Sequence, residues 1–75
     1  MIGKYLKQDA GTFTSYAKVL EVEPDGNYWV RSHIDFADGT PSRTRLGGMS
    51  TRAWYPPPVE VAESDVPEHI LLEIR

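Results

Sequence analysis

Residues 15–36 read SYAKVLEVEPDGNYWVRSHIDF, two runs rich in apolar and β-branched residues hinged on a turn. They predict one long β-hairpin. Pro24 pre-sets φ at the second position of Glu23-Pro24-Asp25-Gly26-Asn27, Asp25 tolerates the next corner, and Gly26 takes the left-handed conformation that follows. The result is a three-residue loop closed by a glycine bulge, with Glu23 paired to Asn27. A regular ladder from that turn sets Val22 opposite Tyr28, Leu20 opposite Val30 and Tyr16 opposite Ile34 on one face. The other face takes Glu21 with Trp29, Val19 with Arg31 and Ala17 with His33. A slip of one residue would mix the two sets, so turn and pattern support each other. The expected core is Tyr16, Leu20, Val22, Tyr28, Val30 and Ile34. Along the second arm Trp29, Arg31, His33 and Asp35 point outward.

Before the hairpin, Ile2-Gly3-Lys4-Tyr5-Leu6-Lys7 alternates apolar and polar residues as a first strand, turned at Gln8-Asp9-Ala10-Gly11. The strand over 12–22 is long for so small a domain, and such strands bend, often at a bulge. Ala37-Asp38-Gly39-Thr40 is a second Asp-Gly turn, which returns a fourth strand over 43–46. Pro41 cannot donate to a ladder, so that strand begins at an edge. Gly47-Gly48 is expected to interrupt the chain before 49–55, and Pro56-Pro57-Pro58 to be extended and rigid. Val59-Glu60-Val61 reads as a short strand. Ser64 or Asp65 then caps a helical turn over 66–69, and 70–74 is a last strand or the end of a short helix.

Seventy-five residues, 40% hydrophobic and 25% charged, make one ordered domain. The fold class is mostly β: a small antiparallel SH3-like barrel of five or six short strands with one short helical turn near the C-terminus. An OB-like barrel needs a longer helix between its middle strands. A core of this size supplies only roughly 3–5 kcal/mol, so association with another chain is an accessible source of stability. Whether the chain is a monomer or a homodimer is left open. There is no cysteine, which removes disulfides and thiolate metal sites and fits a reducing compartment. MIGKYLKQD does not resemble a signal peptide, and Ile70-Leu71-Leu72 is too short to span a bilayer. A cytoplasmic, complete small gene product is expected, with no membrane partner.

The net charge of −3 is unevenly placed: residues 1–55 sum to +1 and residues 56–75 to −4. Residues 39–55 hold Arg43, Arg45 and Arg52 and no acid. Overall acidity disfavours general nucleic-acid binding, whereas a local basic strip is compatible with a specific contact.

The candidate binding residues follow from these patterns. Trp29, Arg31 and His33 share outward parity, and tryptophan beside arginine is the composition of binding hot spots. Alternatively, Trp29 is second-layer core under the N-terminal strand or the 47–58 segment. Arg43, Arg45 and Arg52 alternate with hydroxyls around Gly47-Gly48 and offer planar donors to a phosphate or carboxylate, or simply charge a solvent-facing edge strand. No lysine follows the glycines, so this is not a P-loop. Trp54 opens Trp54-Tyr55-Pro56-Pro57-Pro58, a proline-recognition ligand or a rigid connection.

Chemistry is harder to find. Ser32, His33 and Asp35 cannot act as a triad, because Ser32 and His33 are strand neighbours on opposite faces. His33 and His69 with scattered carboxylates lack metal-ligand spacing, and no cofactor is expected. The chain therefore reads as a non-enzymatic protein-binding module: an adaptor, regulatory subunit or inhibitor, of a kind encoded by mobile elements. Another protein is the expected partner. The alternative is a nucleic-acid-binding β-barrel that uses Trp and Arg side chains.

Overall fold

The computed structural model describes residues 1–50 and 56–75. Its strands are β1 (Tyr5–Asp9), β2 (Phe13–Val22), β3 (Tyr28–Phe36), β4 (Arg43–Met49) and β5 (Val59–Val61). A 3-10 turn (Glu63–Asp65) and the helix α1 (Glu68–Ile74) follow. The strands make one antiparallel five-stranded sheet in the order β4-β3-β2-β1-β5. β4 and β5 lie at opposite edges and do not pair, so the described strands form an open sheet where a closed barrel was expected.

The β2–β3 turn follows its sequence chemistry. Glu23 N–H donates to the Asn27 carbonyl at 2.8 Å, Gly26 N–H donates to the Glu23 carbonyl at 2.9 Å, and Gly26 has φ +88°. The Asp25 carboxylate accepts the Asn27 N–H at 3.0 Å and fixes the corner. Val22 pairs with Tyr28 and Glu21 with Trp29, as expected.

The ladder then departs from the regular register. Val19 pairs with Val30, leaving Leu20 as the extra residue of a bulge, so Tyr16 faces His33, Ala17 faces Ser32 and Ser15 faces Ile34. One added residue exchanges the faces of β2 below that point. The bulge sits where the pairing of β2 with β1 ends. Val19 N–H donates to the Lys4 carbonyl at 2.9 Å and its carbonyl accepts from Gly3 at 2.8 Å, beyond the end of β1.

The expected single core is therefore two clusters on the two faces of the sheet. Tyr16 joins Tyr5, Val66, Ile70, Leu71 and Ile74 on what is termed here the helix face. Val30 joins Leu6, Ala17, Val19 and Met49 on the far face, with Tyr28 packed against them. Leu20 and Ile34 are only half-buried and Val22 is exposed, so these three are not central core residues.

Other element boundaries differ for local reasons. β1 starts at Tyr5, because Gly3 takes φ +83° and residues 1–4 form a turn closed by Lys4 N–H to the Met1 carbonyl. β4 continues through Gly47 and Gly48, both paired with β3, instead of breaking there. Residues 70–74 are helix. The spacing of Ile70, Leu71 and Ile74 places three apolar side chains on one helical stripe, and all three are buried against the sheet.

Candidate functional site

The face parity of β3 places Trp29, Arg31, His33 and Asp35 together on the helix face, but α1 treats them unequally. His33 is buried. Its Nδ1 lies 2.6 Å from Glu73 Oε2 on the helix, and its Nε2 lies 3.1 Å from Asp35 Oδ1. The imidazolium form donates to both carboxylates at once. Thr44 Oγ1 donates to the same Glu73 oxygen at 2.7 Å, and Ser42 Oγ to Asp35 Oδ1. Asp35 is held below the ordinary carboxylate range first by the Ser42 hydroxyl, against desolvation, with His33 adding to the lowering. Glu73 is lowered in the same way, first by Thr44 and then by His33.

Arg31 is also committed to the helix. Its Nη1 donates to the Arg75 carbonyl at 2.8 Å, where a cation suits the negative end of the backbone. Arg31 and His33 are therefore clamps that seat α1 on β3 and are not parts of an open surface. The cover over His33 is the C-terminal helix, a candidate that strand counting did not supply. Ser42 reaches Asp35 and not the imidazole, and Thr44 Oγ1, 3.4 Å from His33 Nδ1, donates instead to Glu73. Among the described residues no cluster of His, Asp and Glu is arranged for a metal ion.

Trp29 lies past the helix and remains open, 38% exposed. Its partner across the ladder is Gly48, and nothing lies within 4 Å of the place a side chain would take there. Leu46, diagonal to Trp29 on the same face, is 57% exposed. Trp29, Gly48 and Leu46 thus form a shallow apolar notch beside the β4 edge.

The arginines of β4 are on the other side of the sheet. Arg43 pairs with Ile34 and Arg45 with Ser32, both of the far face, so parity separates these arginines from Trp29. Arg43 lies over the Phe36 ring, 5.8 Å from its centroid. The Arg45 guanidinium lies back across Gly47, in the space that a Cβ at Gly47 would occupy. That close approach is a reason for glycine inside this strand. Residues 43–46 are all exposed, and among the described residues β4 has a strand on one side only. The two expected groups thus meet at one edge, on opposite faces, and not on one surface. Arg52 and Trp54 lie outside the described residues.

The far face carries a second polar feature. Gln8 is buried and its Nε2 donates to the Pro56 carbonyl at 2.8 Å, while its Oε1 has no partner among the described residues. A shallow groove of about 430 Å³ runs beside β5, lined by Gly3, Lys4, Tyr5, Glu60, Val61 and Glu63. It holds no arranged donor set. No helix among the described residues is long and apolar enough to cross a membrane.

Comparison with protein-family models, with curated proteins and with solved structures finds no match to this chain.

Proposed function

We propose that this chain is a small non-enzymatic protein-binding module, acting as an adaptor, regulatory subunit or inhibitor, and that it docks its partner along β4. The observation that carries this reading is the edge itself. Residues 43–46 are exposed over their whole length, with Trp29 and Leu46 open on one flank and Arg43 and Arg45 on the other. An edge strand offers backbone donors and acceptors to another protein, and an open aromatic on its flank is a side chain of the kind that concentrates binding energy. A nucleic-acid role is less well supported. The open aromatic and the arginines face opposite sides of the sheet, so a strand that stacks on Trp29 does not meet both guanidinium groups.

A photoreactive side chain placed at Leu46 is expected to capture a discrete protein from the native cell. The same group at Val59, equally exposed on the opposite edge, is expected to capture none. Capture at Leu46 should persist at raised salt and disappear in Trp29→Ala. Equal capture at both edges overturns the reading. So does tight binding of oligonucleotides with a steep salt dependence.

A further inference from the structure

We infer that the occupant of the β4 edge is an extended acidic segment of the partner, added as a sixth strand with its carboxylates on the far face of the sheet. This rests on the docking reading above and names the chemistry of the partner. Successive residues of β4 alternate between faces: Arg43 and Arg45 lie on the far face, Thr44 and Leu46 on the helix face. A strand laid beside β4 alternates in the same way. Carboxylates at every second residue then fall beside the arginines, and the intervening apolar side chains fall against Leu46 and the Trp29 notch.

The arginines are available for this. Neither guanidinium has a hydrogen bond or ion pair among the described residues, and Arg45 is laid flat over Gly47 with its donors uncommitted. A planar donor fork pairs with a carboxylate through two parallel hydrogen bonds.

A second copy of the chain fits less well. A two-fold pairing of β4 with β4 over its full length sets Arg43 opposite Met49 and Arg45 opposite Gly47 of the other copy, so the arginines meet no carboxylate. Val59-Glu60-Val61 of β5 has the right alternation, with Glu60 on the far face opposite Leu6. It offers one carboxylate in a three-residue strand, however, and a translated copy would have to pair parallel to β4.

The probe is the peptide acetyl-Val-Glu-Val-Glu-Val-Glu-Val-amide, titrated into the isotope-labelled protein and followed by NMR. Its counterpart with lysine in place of glutamate is the control. Shifts and intermolecular Overhauser contacts are expected at residues 43–49, with the acidic peptide bound at least about tenfold more tightly than the basic one. The double variant Arg43→Glu, Arg45→Glu should reverse that preference while keeping a dispersed amide spectrum, since both side chains are exposed. Equal affinity for the two peptides, no shifts at β4, or contacts centred on β5 overturns the proposal. So does self-association in sedimentation that is abolished by Glu60→Lys. If Leu46 still captures a partner while the peptides bind indifferently, docking at β4 stands and the acidic-strand assignment falls.

Discussion

At the scale of single residues, Leu20 has the largest consequence although it is not itself deeply buried. As the extra residue of the bulge it puts Val19 on the face of Val22 and Tyr28, and Tyr16 on the face of Trp29 and His33, the exchange of what a regular ladder would give. Val19 is fully buried and Val22 exposed, the reverse of an unbulged ladder. Val19→Ala is therefore expected to cost about 2 kcal/mol, near the worth of a fully buried valine. Val22→Ala should stay within about 0.5 kcal/mol. Urea denaturation of the two variants checks the register, and equal losses would contradict the bulge. Gly26→Val should also destabilise, through φ alone, because a β-branched residue resists the +88° that the turn requires. Gly47→Ala is a different case. Its Cβ displaces only the flexible end of Arg45, so the fold should keep its melting temperature while the Arg45 side-chain resonances move.

At the scale of elements, α1 is held by three apolar residues and by the bridge from Glu73 through His33 to Asp35. The folded values of Asp35 and Glu73 lie below their ordinary range, so their contribution to stability is complete at neutral pH. It is lost as pH falls through the unfolded-state values near roughly 4 and then through the lower folded ones. Acid titration by near-UV circular dichroism is expected to show α1 loosening in that window. Glu73→Gln should flatten the transition, and an unchanged acid midpoint would separate the bridge from helix docking. Much of this element map is legible in the chain. Pro24-Asp25-Gly26 marks its hairpin, Asp38-Gly39 its second turn, and the bounds of β3 and β5 follow from alternation and β-branching. The bulge is not legible, because Tyr16, Ala17, Val19, Leu20 and Val22 put apolar residues on both parities. A strand buried on two faces carries no period to read. The helix is ambiguous for a similar reason, since Ile70-Leu71-Leu72 is apolar at adjacent positions and only Ile74 reveals the stripe. Whether Trp29 is open or second-layer core is not legible, because parity does not say what covers its face. Its separation from Arg43 and Arg45 follows from a β3–β4 register that parity within β3 alone does not supply.

At the scale of the whole molecule, the described strands form an open sheet with one face covered by α1 and with unlike edges. β5 is three residues long with Glu60 outward, whereas β4 is seven residues long and carries its charge as Arg43 and Arg45. Charged side chains on an exposed edge deter indiscriminate strand pairing and leave it selective for an opposite charge. Binding through Trp29 should accordingly be separable from folding. Trp29 belongs to neither buried cluster, so Trp29→Ala is expected to weaken the captured partner by about tenfold or more with little change in melting temperature. Unfolding of that variant would instead make Trp29 a core residue. The central claim is that β4 is an unpaired edge in the free protein, and amide hydrogen exchange tests it most directly. Alternate amides along residues 43–49 are expected to exchange rapidly while their neighbours, bonded to β3, exchange with the slow amides of β2 and β3. Uniform slow exchange along β4 would mean that the edge is already covered, and would contradict it.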